Sequence, residues 1–132
     1  MYYATPLTPQ VADTNIARHI DSIAYPLWFD RARTRLYREM NPSLDFTAHG
    51  LVIVKTEVTY LREVNVDDEL EIRTWVSLIG TKSFEVSQEL WRQNERCAEG
   101  KTILVSFDFS VHKSEPLTDA YRDVLEKYSF DK

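Results

Sequence analysis

Four polar side chains, Asp13, Asn15, His19 and Asp21, fall within nine consecutive residues of this chain. Two carboxylates and an imidazole can each take a proton from water, and an amide can orient a water or a carbonyl oxygen. A run of helical periodicity follows at once, over residues 23–40. The start of a helix leaves backbone N–H groups without intrahelical acceptors, and these favour developing negative charge. The combination suits hydrolysis of an activated acyl group, in which water attacks a carbonyl and a tetrahedral oxyanion forms near Ile23, Ala24 and Tyr25.

The elements that must hold this loop can be read from the pattern around it. Residues 2–11 carry a short strand confined to an edge by Pro6 and Pro9. In the helical run Ala24, Leu27, Trp28, Ala32 and Leu36 share one stripe. Asp21 or Ser22 can cap the helix, Pro26 is tolerated in its first turn, and Asn41-Pro42 ends it. Four alternating runs come next. They are 51–61 (Val52, Val54, Thr56, Val58, Tyr60), 69–79 (Leu70, Ile72, Thr74, Val76, Leu78), 83–91 (Phe84, Val86, Gln88, Leu90) and 97–112 (Ile103, Val105, Phe107, Phe109, Val111). A short amphipathic helix over 118–128 closes the pattern. The expected architecture is α+β, an antiparallel sheet wrapped around one long helix. Trp75 and Ile79 fall on the second face of their strand, so a second copy of the chain is expected to cover part of the sheet.

Composition narrows the function classes. A chain of 132 residues with 43% hydrophobic and 28% charged residues fits one domain with a real core, 1–132, fed by six Phe, seven Tyr and three Trp. The net charge of −5 excludes the broad basic face that a nucleic-acid partner needs. The run Arg31 to Arg35 reads as a solvated helix face or as a docking patch for a phosphorylated carrier such as coenzyme A. Cys97 is the single cysteine, so no intrachain disulfide forms, and its place in a strand run makes it an inert small residue. The three histidines, His19, His49 and His112, show no ligand spacing, so neither metal nor cofactor is expected. No Gly-x-Ser-x-Gly elbow is present. With no signal peptide and no membrane-length apolar run, the expected location is the cytoplasm.

These residues resemble a family. Asp13-Thr14-Asn15, His19-Ile20-Asp21-Ser22, Tyr25, Phe29 and Asp30-Arg31-Ala32-Arg33 are similar, without a gap, to the signature of hotdog-fold thioesterases of the 4-hydroxybenzoyl-CoA thioesterase type. That signature runs Asp-Thr-Asp, three residues, His/Ile-Val-Asn-Asn, Tyr, then an acidic-Ala-Arg turn of helix. Glu57 to Arg62, Asp67-Asp68-Glu69-Leu70 and Ile79 to Phe84 resemble its strand, turn and central hairpin.

The resemblance implies the hotdog fold, homodimers or homotetramers, sites at the subunit interface, and an acyl-CoA or acyl-carrier-protein substrate. It implies substrate contacts from Ile23, Ala24, Tyr25, Trp28, Tyr60, Arg62 and Ser83, with Leu27 and Val54 as further acyl lining. The family's frequent catalytic carboxylate, the second Asp of Asp-Thr-Asp, is Asn15 here, and Asp21 stands where the family has Asn. The expectation is that Asp21 or His19 activates water, Asn15 orients it or the thioester oxygen, and Asp13 braces the loop. The alternative is an acyl-CoA carrier or sensor that does not hydrolyse its ligand.

Overall fold

The computed structural model describes residues 1–129. Strand β1 (Tyr3–Leu7) leads through a 3-10 turn at Val11–Asp13 to helices α1 (Ala24–Ala32) and α2 (Thr34–Met40). Strands β2 (His49–Tyr60), β3 (Leu70–Ile79), β4 (Ser83–Arg92), β5 (Glu95–Asp108) and β6 (Lys113–Ser114) follow, and α3 (Asp119–Lys127) closes the described chain. The strands form one antiparallel sheet in the order β1-β3-β4-β5-β2, with β6 beside β5. The expected wrapping of the sheet around the central helical segment is what the chain forms.

Two apolar clusters hold helix to sheet. Ala24, Tyr25, Trp28, Phe29 and Ala32 of α1 pack on Val64, Leu70, Ile72, Leu90, Cys97 and Ala98. Leu36 and Met40 of α2 pack with Tyr3, Val76, Phe84, Val86, Leu104, Leu117, Leu125 and Tyr128. Each large side chain removed from water contributes about 1.5–3 kcal/mol. Gly100 lets the helix come this close, because a Cβ there would stand 3.0 Å from the Phe29 ring.

The structure departs from the sequence pattern in four places. The helix expected over 23–40 is two helices joined at Arg33, whose N–H is shared between the carbonyls of Phe29 and Asp30 at 3.1 Å each. Tyr3 donates its hydroxyl to the Ala32 carbonyl beside this break, and burial pushes that phenol up to about 12. The buried stripe is Tyr25, Trp28, Phe29, Ala32 and Leu36, while Leu27 is exposed.

In β2 a bulge at Val54 shifts the register between Ile53 and Lys55. Leu51 and Ile53 therefore share the helix-facing side with Thr56, Val58 and Tyr60, and Val52 turns to the other side. A second bulge, at Ser77, turns Leu78 outward to 64% exposure and brings Ile79 opposite the buried Phe84. In β5 the inward residues are Ala98, Gly100, Thr102, Leu104 and Ser106, whereas Ile103, Val105 and Phe107 are half-buried on the outer face. The cause lies between the two apolar clusters, where a polar layer replaces hydrocarbon.

That layer is centred on Arg33, which is 3% exposed. Its Nη1 donates to Gln88 Oε1 at 3.0 Å and to the Thr102 hydroxyl at 3.1 Å, and its Nε donates to the Tyr37 hydroxyl at 2.9 Å. Its Nη2 meets Asp30 at 3.1 Å. Gln88 Nε2 continues the layer to the Phe29 carbonyl and the Thr74 hydroxyl. The Gln88 amide on β4 and the Thr102 hydroxyl on β5 thus help satisfy a buried guanidinium that aliphatic side chains would leave unpaired.

Candidate active site

Residues 13–23 form a compact loop built by their own polar groups. Thr14 and Ile20 make an antiparallel bridge, Asn15 N–H donates to the His19 carbonyl at 2.9 Å, and Asp21 N–H donates to the Asp13 carbonyl at 2.8 Å. The tip turns through Arg18, whose φ of 64° is left-handed. Asn15 Oδ1 takes the N–H groups of Ala17 and His19 at 3.0 and 3.2 Å, which closes the turn and leaves the amide nitrogen as the donor end of the side chain. Asp13 Oδ2 accepts from Gln10 N–H at 2.7 Å. Asp21 Oδ1 accepts from Ile23 N–H at 3.1 Å and so fixes the turn that leads into α1.

His19 stands apart from these self-satisfied groups. Its Nδ1 meets Glu63 Oε1 at 2.7 Å, and both side chains are 63% exposed. A carboxylate on Nδ1 fixes the proton there and makes Nε2 the basic nitrogen, facing a region that water can reach. Glu63 follows β2 on a segment pinned to β5, since Leu61 and Arg62 N–H both donate to the Cys97 carbonyl, at 2.9 and 3.0 Å. Tyr60, at the end of the same strand, donates its hydroxyl to the Ser22 carbonyl at 3.0 Å. Its ring meets Tyr25 edge-on at 4.9 Å, and Tyr25 lies 5.0 Å from Trp28. Burial raises the Tyr25 phenol above the usual tyrosine value. The loop, the start of α1 and the end of β2 therefore meet at one place.

The expected set is brought together only in part. Asp13, Asn15, His19, Asp21, Ile23, Ala24, Tyr25 and Tyr60 gather around the start of α1, with Trp28 one turn further on and buried in the core. Arg62 points to its own neighbour Glu95 at 3.5 Å. Ser83 lies at the far end of the sheet. It pairs with Val105 whereas Tyr60 pairs with Ala98, a separation along β5 of roughly 23 Å. The expectation of open N–H groups at the helix start is not met. Ile23 and Ala24 donate to Asp21, and Tyr25 donates to the Ser22 carbonyl at 3.4 Å. One carboxylate and two backbone carbonyls thus take up the donors that an oxyanion would need.

Sequence reasoning missed Glu63, whose partner lies 44 residues away and leaves no local signal. It also read Arg33 as part of a solvated or phosphate-docking helix face, whereas Arg33 is buried, as its spacing of four from Phe29 and three from Leu36 on the buried stripe requires. Cys97 is fully buried, and burial raises its thiol above the usual value, as expected of an inert cysteine.

One histidine, His49, sits among acidic groups. His49, Asp108 and Glu115 place ligand-type atoms within 4.8 Å of one another. His49 Nδ1 pairs with Glu115 at 2.8 Å, while Asp108 accepts both the N–H and the hydroxyl of Ser110. Among the described residues no helix is long and apolar enough to cross a membrane.

Comparison with known proteins agrees with this geometry. The model of the thioesterase-like superfamily matches residues 9–125. No curated protein matches the sequence. A predicted thioesterase from Bacillus stearothermophilus superposes with a TM-score of 0.92 at 27% identity, each chain covered to 98%. A 1,4-dihydroxy-2-naphthoyl-CoA thioesterase from Synechocystis has a TM-score of 0.86 at 13% identity, covering 100% of this chain and 99% of the other. A hypothetical protein from Staphylococcus aureus, solved in complex with CoA, has a TM-score of 0.88 at 13% identity, covering 97% and 84%. The last two likenesses speak to the fold alone. With the family model spanning most of its length and the hotdog architecture formed, this chain belongs to the thioesterase-like superfamily.

Proposed function

We propose that this protein hydrolyses an acyl-CoA thioester with His19 as the general base. The observation that carries the reading is the His19–Glu63 pair at 2.7 Å, on a loop packed against the start of α1. His19 Nε2 takes a proton from water as the water oxygen bonds to the thioester carbonyl carbon. The tetrahedral oxyanion is met by the donor end of Asn15, and its collapse breaks the C–S bond. The imidazolium then returns the proton to the leaving thiolate, so the products are a free acid and a thiol. Glu63 holds the ring and offsets the positive charge it gains. In this scheme Asp21 holds the turn into α1 and Asp13 keeps the 3-10 turn, so both act on the shape of the loop.

A second copy of the chain belongs to the same proposal. Strand β2 is a sheet edge whose exposed residues include Ile53 at 45% and Val54 at 58%, and Leu27 of α1 is 44% exposed. A long edge strand with exposed apolar residues is normally paired or covered. Two copies pairing antiparallel through β2 would reverse the strand end for end. The partner's Ser83 end would then approach the Tyr60 end of this chain, which gives Ser83 a place among the substrate contacts. Thiol release from a panel of short, medium, long and aromatic acyl-CoAs tests the reading. Turnover that His19→Gln abolishes supports it, and acyl-CoA binding without turnover in the wild type sinks it.

A further inference from the structure

A cleft of about 710 Å³ is lined by Leu61, Arg62, Trp91, Asn94, Glu95 and Arg96. It opens between the end of β2 and the β4–β5 turn, and its wall residue Arg62 directly precedes Glu63, the partner of His19. Two guanidinium groups and one indole face a single lining carboxylate. The Arg62 contact to Glu95 is 3.5 Å, and Arg96 meets Glu89 at 3.0 Å and Glu99 at 3.3 Å. These partners are 20–49% exposed and the two arginines 60% and 45%, so each pair is worth little. A doubly charged phosphate competes well for such donors.

The indole is held in place for a flat ligand. Trp91 Nε1 donates to Glu89 at 3.2 Å, and the Arg73 guanidinium sits 4.3 Å from its ring centroid. The segment that carries Arg62 is fixed by the paired donors of Leu61 and Arg62 to the Cys97 carbonyl. A rigid aromatic wall beside two arginines is suited to a purine carrying phosphates.

We infer that this cleft binds the adenosine phosphate end of coenzyme A, with the adenine against Trp91 and the phosphates on Arg62 and Arg96. The inference rests on the thioesterase reading, and it deepens that reading by selecting free coenzyme A thioesters over carrier-protein thioesters, whose phosphopantetheine arm has no adenosine.

Calorimetry with adenosine 3′,5′-bisphosphate needs no turnover and tests the cleft directly. The wild type should bind the probe, and Arg96→Gln and Trp91→Ala should each weaken binding roughly tenfold. In kinetics, the preference for an acyl-CoA over the matching acyl-N-acetylcysteamine thioester should fall by a similar factor in Arg96→Gln, through KM rather than kcat. Arg96 is a surface residue, so its variant keeps the test valid where Trp91→Ala fails to fold. If the wild type does not bind the bisphosphate, or Arg96→Gln leaves both its binding and the substrate preference unchanged, the inference is overturned while hydrolysis can stand. If the bisphosphate binds as described but no thioester is hydrolysed, the cleft assignment stands and the hydrolytic reading falls.

Discussion

His19 and Glu63, 44 residues apart in sequence, meet side chain to side chain at 2.7 Å across the junction of the 13–23 loop and the end of β2. The contact gives the histidine a defined tautomer, which neither residue has alone. Glu63→Gln keeps a hydrogen-bond acceptor but removes the charge that offsets an imidazolium. The expected loss in kcat/KM is roughly 10- to 100-fold, a fraction of what a general base supplies. Steady-state kinetics read the loss, and full turnover in a folded Glu63→Gln would contradict the role given to Glu63.

Arg33 makes a prediction about stability. Its guanidinium is 3% exposed and joins Gln88, Thr102, Tyr37 and Asp30. Arg33→Met fills much of the volume but leaves Gln88 Oε1 and the Tyr37 hydroxyl short of a partner. The expected destabilisation is about 3–5 kcal/mol, read by denaturant unfolding. A loss under 1 kcal/mol would mean that the polar layer repacks freely.

The edge strand predicts assembly. Sedimentation of the wild type should show a dimer or tetramer. Ile53→Glu, which puts a charge on the exposed edge of β2, should shift the protein toward monomer and lower turnover with it. A wild type that sediments only as monomer contradicts the paired-edge proposal.

The hydrogen bond and charge of Glu115 raise the His49 imidazole above its usual value. Stability from this pair is therefore complete below the usual histidine value and is lost as pH rises through the raised one. Thermal melts of the wild type against His49→Gln should differ most near pH 6 and converge above pH 8. A difference that grows with pH would reverse the assignment.

The sequence carried the order of the elements because helix and strand periods are local. The α3 segment shows this, with Thr118 accepting from Tyr121 N–H at the expected start. What it could not carry was the phase of the strands. The bulges at Val54 and Ser77 each insert one residue, and every side chain beyond them changes face. The inward face of β5 was misread for another reason. Thr102 is buried to serve a polar layer, so hydrophobicity marked the outer face instead. At the site, the loop and its composition were visible as a motif. The pairing of His19 with Glu63 was not, because it depends on how the end of β2 meets that loop.

The central claim is that His19 is the base and that Asp21 holds the turn before α1. The most direct measurement is kcat/KM for a hydrolysed acyl-CoA in the wild type, His19→Gln and Asp21→Asn, with thermal melts confirming that each variant is folded. The account predicts a loss of roughly 10²- to 10⁴-fold for His19→Gln and only a several-fold loss for Asp21→Asn. A folded His19→Gln with near-normal turnover, beside an inactive Asp21→Asn, would contradict it and move the proton transfer to Asp21.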